Sequence, residues 1–263
     1  FTNIHRSAAN ACNYRFTTTG NIIFDNVFNI TMKTNIGVFF GGRSTEHEIS
    51  IISANQAINA IDSRKYDVTP VYITKDGKWF TGRALLNLAN YRDIPDLLNM
   101  CEEVYMRPIY GDYNLYYSMP KGVFSKKTIA CKLDVVIPVL HGANGEDGTF
   151  EGILDSIGIP YAGCDTLSSA NGMDKITMKM ILRENGIPVV DYTWFTDRQW
   201  FAQRDELIDR IEQNMGYPVI IKPANLGSSI GIGCARNRNE LCARVEDASR
   251  YASRIIVEHM VEQ

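Results

Sequence analysis

A two-part α/β protein is predicted by three observations on the sequence. A compact apolar run, Asn35–Phe40, ends in Gly41-Gly42 and passes into a helical pattern. A second run of buried type, Leu133–Leu140, is again followed by a glycine-rich loop, His141–Gly148, and a helix. A third, Val219–Ile221, delivers Lys222 and then the loop Leu226-Gly227-Ser228-Ser229-Ile230-Gly231. Strand, glycine turn and helix in succession open an α/β unit, because the helix needs a strand face on which to bury its apolar stripe.

The elements follow in order. After the Asn35–Phe40 strand, Ile49, Ile52, Ser53, Gln56, Ala57 and Ala60 keep near-helical spacing, and Thr45-x-x-Glu48 has the form of a capping box. Asp67–Thr74 is the next strand, and Lys75-Asp76-Gly77-Lys78 turns it into a short hairpin arm at Trp79-Phe80. Thr81–Lys132 lacks period and reads as irregular or inserted. Leu133–Leu140 is a buried parallel strand, helix covers about Thr149–Ile157, and Gly158–Gly163 closes the first part with a short strand. Asp165–Ala170 and Asp174–Asn185 are helical, Ile187–Thr196 extended and Arg204–Met215 helical. Pro218–Lys222 and Ile232–Ala235 flank the glycine/serine loop, Asn239–Arg254 is a charged amphipathic helix, and Ile255–Glu258 is a last strand. The alternation indicates a Rossmann-like domain over 32–128, or slightly longer, and a mixed α+β region over 129–263. Residues 1–31, rich in Asn and Thr, read as a disordered or non-native extension, with a short strand at Asn21–Ile30 as the alternative.

Composition narrows the function. The 263 residues are 45% hydrophobic and 22% charged, as in a soluble protein with a real core, and the formal net charge of -3 argues against a broad nucleic-acid-binding face. No apolar run approaches the length of a membrane span. The six cysteines show no C-x-x-C pair and the four histidines are scattered, which reads as reduced cytosolic thiols and no zinc site.

Chemistry-bearing residues stand where strands end. Glycines let backbone N–H groups approach a ligand, serines add hydroxyl donors and a lysine adds a point charge, so Lys222 with Ser228 and Ser229 meets the needs of polyphosphate binding. The alternative is a flexible β-hairpin. Lys175, at a helix start after Met173-Asp174, is a second cation for the α- and β-phosphates of a nucleotide, or a solvated surface lysine. Glu46, between the first strand and first helix, suits a ligand ammonium or supports the helix N-terminus. His141 can donate to a carboxylate or oxyanion, or serve as a structural hydrogen-bonder. Glu258-His259-Met260-Val261 is a strand exit that can present donors and acceptors to an adenine edge, or an ordinary strand end.

Taken together, GGRSTEHEIS (41–50), VLHGANGEDGTFEG (139–152), MDK (173–175) and IIKPANLGSSIGI (220–232), with YAGCDTLSSANGMDK (161–175), resemble the D-alanine–D-alanine ligases, ATP-grasp enzymes of peptidoglycan precursor synthesis. The resemblance runs from about Asn35 to the end, and some details are also similar to the D-Ala–D-Ser and D-lactate ligases of glycopeptide resistance. It implies a Rossmann-like, pre-ATP-grasp domain followed by a partial ATP-grasp α+β domain. Glu46 would bind the ammonium of the first D-alanine, and His141 would lie near that substrate's carboxyl group. Lys175 and Lys222 would hold ATP phosphates. Ser228 would hydrogen-bond near Glu46, Ser229 and the loop amides would cover the phosphates, Glu258 would meet the adenine amino group, and the backbone of His259 and Val261 would complete adenine recognition. Family members continue beyond residue 263, where the ligands for Mg²⁺ or Mn²⁺ are expected, so this chain by itself is expected to be inactive. A cytoplasmic homodimer acting on D-alanine and ATP is implied. The competing readings are a D-Ala–D-Ser or D-lactate ligase, another ATP-grasp carboxylate–amine ligase with a different acyl acceptor, and a truncated nucleotide-binding or dimerisation module without catalysis. Asn225-Leu226 departs from the charged residue that many relatives carry before the glycine.

Overall fold

The computed structural model describes residues 33–119 and 128–261. The first half runs β1 (Thr34–Gly41), α1 (His47–Ala60), β2 (Tyr66–Ile73), β3 (Trp79–Thr81), α2 (Ile94–Asn99), β4 (Glu102–Met106), β5 (Asn114–Tyr117), β6 (Ile129–Lys132), β7 (Val135–Leu140) and α3 (Thr149–Ile157). The second runs α4 (Thr166–Met173), α5 (Lys175–Glu184), β8 (Tyr192–Thr196), α6 (Asp197–Ala202), α7 (Arg204–Asn214), β9 (Val219–Pro223), β10 (Gly233–Ala235), α8 (Arg238–Ala248) and β11 (Arg254–His259).

β1 lies near one edge of a seven-stranded sheet ordered β6-β5-β4-β3-β2-β1-β7, and pairs parallel with β2 and β7. An all-apolar run is what a strand covered on both faces needs. Phe39 joins a core with Val136, Phe150 and Leu154 under α3, whereas Val38 and Phe40 join Ile51 and Ala54 under α1. Because α1 leads from β1 to β2 while β7 pairs on the other side, the crevice at the carboxyl ends of β1 and β7 is a topological switch point. Glycine is required there: Gly41 has φ +92, and a Cβ on it would lie 2.3 Å from the Ile73 carbonyl oxygen. Ser50 of α1 fastens this corner, accepting from the Gly41 N–H at 2.8 Å and donating to the Val139 carbonyl.

The second sheet, β10-β9-β11-β8, is antiparallel throughout. One face buries Val219, Ile221, Ile255 and Val257 against Leu207 and Ile211 of α7 and Leu241 and Val245 of α8. On the other, Ile256 packs with Ala224 and Ile176 of α5.

Several expectations are corrected. Thr81–Lys132 is not irregular: its described residues form β3–β6, two 3-10 turns and α2, and the antiparallel strands extend the first sheet. Strands of three to five residues are too short to display a period, although Val104, Met106 and Leu115 are buried. The Thr45/Glu48 capping box does not form. Glu46 is the N-cap, without a side-chain cap, and Glu48 pairs with Lys75 at 2.6 Å. The helix α6 has no counterpart among the expected elements; a capping box of Thr196 and Gln199 starts it. The last helix stops at Ala248 instead of Arg254, and only Tyr192–Thr196 of the extended 187–196 segment pairs as strand. Ile129–Lys132 and Val135–Leu140 pair in the first sheet as β6 and β7, at its two edges. The expected extension over 1–31 and the alternative strand at Asn21–Ile30 lie outside the described residues. The cysteines among the described residues are free thiols.

Candidate active site

Three loops meet beside the switch point. The turn after β1 ends at Glu46, the turn after β7 begins at His141, and the glycine/serine loop after β9 reaches over from the second sheet. Ser228 donates its hydroxyl hydrogen bond to Glu46 Oε1 across 182 residues of sequence. The approach is close: a Cβ on Gly142 would lie 2.4 Å from Glu46 Oε2 and 2.6 Å from Ser44 Oγ, and one on Gly227 would lie 3.4 Å from Glu46 Oε2. Gly142 also has φ +70, so this position needs glycine for its backbone as well as its space.

The loop's shape comes from positive φ angles at Ser228 (49), Ser229 (60) and Gly231 (67). Left-handed serines cost on the order of 1 kcal/mol each, so their persistence needs local support. The Ser228 bond to Glu46 supplies part of it, as do the turn bonds from Ile230 N–H to the Gly227 carbonyl and from Ile232 N–H to the Ser229 carbonyl, each 3.2 Å. Ser229 itself is exposed.

His141 Nε2 lies 3.0 Å from Ser53 Oγ, and its Nδ1 is 3.6 Å from Glu146 Oε1. Glu146 also accepts from the Gly142 N–H at 3.0 Å, so this carboxylate holds the loop and stands near the ring. His47 is buried and structural. Its Nδ1 is 2.7 Å from the Gly42 carbonyl, which can only accept, so Nδ1 carries the proton and Nε2 accepts from the Tyr72 hydroxyl at 2.9 Å. Burial pushes the Tyr72 hydroxyl up to about 12, which keeps it a donor. A cavity of about 160 Å³ lies beside these loops, lined by Gly42, Leu140, His141, Asn144 and Phe150. A larger one of about 580 Å³, lined by Ile52, Tyr72, Leu88 and Tyr91, holds none of the sequence-predicted site residues.

The lysines gather at the other end. In the β9–β11 ladder Lys222 stands opposite Ile256 and Glu258 opposite Ile220, so Lys222 and Glu258 are diagonal neighbours on one face. That face is the one covered by α5, which carries Lys175 and, one turn on, Lys179. Lys222 Nζ donates to Glu258 Oε2 at 2.7 Å, and Lys179 Nζ pairs with Glu258 Oε1 at 3.3 Å. Glu258 is only 5% exposed. Lys175 donates from Nζ to the Leu226 carbonyl and from its backbone to the Ala224 carbonyl at 2.8 Å, which ties α5 to the glycine/serine loop. Burial, and next the Lys222 charge, hold the Lys175 ammonium below the ordinary lysine range. Asp174, before it, caps α5 and binds Arg254 at 2.7 Å.

Of the sequence-predicted residues, Glu46 and Ser228 are thus joined directly, with His141 adjoining through Gly142, and Lys175, Lys222 and Glu258 form a second cluster. His259 and Val261 are exposed at the end of β11; the His259 N–H already donates to the Asp191 carbonyl at 2.9 Å. Lys179 was missed. Its spacing of four from Lys175 on one helix face was the available signal. Ser53, the partner of His141, was read only as part of the helical pattern.

Two models of one family match the chain: D-ala D-ala ligase N-terminus over residues 35–164 and D-ala D-ala ligase C-terminus over 181–263. A curated D-alanine–D-alanine ligase of Thermosipho melanesiensis is 40% identical over 227 residues, 86% of this chain and 59% of that protein. The solved VanG D-Ala:D-Ser ligase from Enterococcus faecalis superposes with a TM-score of 0.74 at 34% identity, covering 88% of this chain and 63% of that one. The D-alanine-D-alanine ligase from Coxiella burnetii gives 0.74 at 29% identity over 88% of this chain and 64% of that one. The chain therefore spans about three fifths of the length of these relatives.

Proposed function

The chain belongs to the D-alanine–D-alanine ligase family, and from that premise we propose that its protein joins two D-alanines at the expense of ATP, for peptidoglycan synthesis. The observation that carries this reading is the Ser228–Glu46 hydrogen bond. It puts the carboxylate suited to an amino acid's ammonium in the same cleft as the loop and lysines suited to a triphosphate.

The chemistry follows from the substrates. A free carboxylate is a poor acyl donor because its leaving group would be oxide. Attack of a carboxylate oxygen of the first D-alanine on the γ-phosphorus of ATP releases ADP and leaves an acyl phosphate. The amine of the second D-alanine adds to the acyl carbon, and the tetrahedral intermediate expels phosphate. In this reading Glu46 anchors the first ammonium and Ser228 holds Glu46 in place. His141, oriented by Ser53, stabilises charge near the reacting carboxyl group. Lys175 and Lys222 neutralise phosphate oxygens, while Ser229 and the loop amides close over them and exclude water, which would hydrolyse the acyl phosphate. Glu258 and the backbone of His259 and Val261 take the adenine edge.

Among the described residues there is no group of three or more His, Cys, Asp or Glu that could hold a metal; Mg²⁺ or Mn²⁺ belongs to the proposed reaction, where it would neutralise charge on the transferring phosphoryl group. No helix among the described residues is long and apolar enough to cross a membrane. A cytoplasmic homodimer belongs to the same reading.

D-alanine-dependent release of phosphate from ATP tests it, measured on this chain and on a version extended to the length of its relatives. Turnover in the extended version supports the ligase, and turnover in neither removes it. ATP binding with no turnover in either version favours a non-catalytic nucleotide module. The likeness to the Enterococcus faecalis enzyme supports a second reading, D-serine as acceptor; supplying D-alanine and D-serine together and comparing the two products separates them.

A further inference from the structure

We propose that Lys179 is a positioning residue of the nucleotide site: it keeps the buried Glu258 carboxylate paired, so that Lys222 can leave that carboxylate for a phosphate group. The inference deepens the ligase reading and rests on it.

The two lysines on Glu258 are not equivalent. Each takes its own oxygen, Lys222 at Oε2 and Lys179 at Oε1. The Lys222 side chain is 24% exposed and sits on the strand that feeds the glycine/serine loop, whereas that of Lys179 is 10% exposed and lies 5.5 Å from the centre of the Tyr192 ring. Lys222 is therefore the more exposed partner and Lys179 the more enclosed one. Without a nucleotide, Glu258 separates cations that would otherwise repel, since Lys175 already feels the Lys222 charge. An arriving triphosphate offers Lys222 a more highly charged acceptor. Were Lys222 the sole partner, its departure would strand a buried carboxylate, which is strongly unfavourable. With Lys179 on the other oxygen, the exchange leaves no buried charge alone. Glu258 thus acts as the place-holder for phosphate at Lys222, and Lys179 makes the exchange cheap.

Calorimetric titration of ATP and of inorganic tripolyphosphate into the wild-type chain, Lys179→Met, Glu258→Gln and the double variant tests this. Lys179→Met is expected to weaken tripolyphosphate binding by about tenfold or more, because Lys222 is then the sole partner of Glu258. In the Glu258→Gln background the same substitution is expected to change it by less than about twofold. Equal losses in both backgrounds would mean that Lys179 serves the phosphate or the fold directly, and would overturn the proposal. Lys179→Arg, which keeps the charge, is expected to restore binding to within about threefold. Should Lys179→Met fail to fold, Glu258→Gln alone still decides: freeing Lys222 from its competitor should tighten tripolyphosphate binding, and weaker binding would overturn the inference. A wild-type chain that binds neither ATP nor tripolyphosphate would remove the nucleotide site itself, whereas wild-type binding with Lys179 uncoupled from Glu258 removes only this inference.

Discussion

The carboxylate end of the cleft and its lysine end are built by different means. Around Glu46 the parts are loops. Glu46, Gly142 and Ser228 come from three turns and are joined by hydrogen bonds and one close backbone approach. Around Lys222 the parts are two strands and a helix, and strand register plus helical spacing bring the charges together. The lysine cluster is set mainly by register and helical spacing, with Lys175 also bonded to the Leu226 carbonyl of the glycine/serine loop, while that loop's Ser228 is bonded to Glu46 beside the first sheet. Under the proposed ligase reading, the lysine end would anchor the nucleotide and the loop junction would open to admit the amino acid.

The strongest way to break the contrast is to loosen the lysine end from beneath. Ile256 is fully buried and packs on Ile176 and Ala224 behind the ion pairs. Ile256→Ala is expected to cost about 2–5 kcal/mol of stability in urea unfolding, with a parallel loss of ATP affinity. A cost under about 1 kcal/mol would show that packing does not hold this end. Next in size is Gly142→Ala, which places a methyl against the Glu46 carboxylate at a positive φ. D-alanine affinity should fall by about 2 kcal/mol, roughly thirtyfold, with tripolyphosphate affinity unchanged in the same titrations. Similar losses for both ligands would merge the two ends into one. Ser228→Ala removes a single hydrogen bond and should weaken D-alanine binding by about 1 kcal/mol, roughly fivefold, and ATP binding less. The opposite order would assign the loop to the lysine end.

The smallest effect sharpens the lysine end and is a matter of pH. Lys175 is held below the ordinary lysine value of 10.5 by burial and the Lys222 charge, and a bound phosphate favours its charged form. Phosphate affinity is therefore complete while the pH stays below that lowered pKa. It falls as pH rises through it, because binding must then take up a proton. Tripolyphosphate titrations between about pH 7 and 10 should show a decline of a few-fold that Lys175→Arg abolishes. A decline that survives Lys175→Arg belongs to another group. The same shift acts on folding with its own sign: between the lowered pKa and 10.5 the unfolded chain binds more protons, so Lys175 contributes a rise in stability with pH there.

Much of the fold was legible from local pattern. The buried runs of β1, β7 and β9, the helix α3, and the glycine turns at strand ends declare themselves because apolar continuity and glycine are local signals. The short strands β4, β5 and β6 were not legible, since their partners across the sheet, and not their own period, make them strands. The capping box at Thr45 failed for a related reason: Glu48 found Lys75, 27 residues away, and local geometry lost to a tertiary partner.

Sequence alone determined the α/β order, the family, and which side chains carry charge at strand ends: Glu46, Lys175, Lys222 and Glu258. Tertiary structure alone decided who faces whom. Glu258 meets Lys222 because antiparallel register sets them on a diagonal of one face, and it meets Lys179 because α5 crosses that face. Ser228 meets Glu46 because two sheets share one cleft. Residue chemistry is a property of the single position, whereas pairing is a distance between positions, and only the packed chain assigns distances to residues so far apart along it.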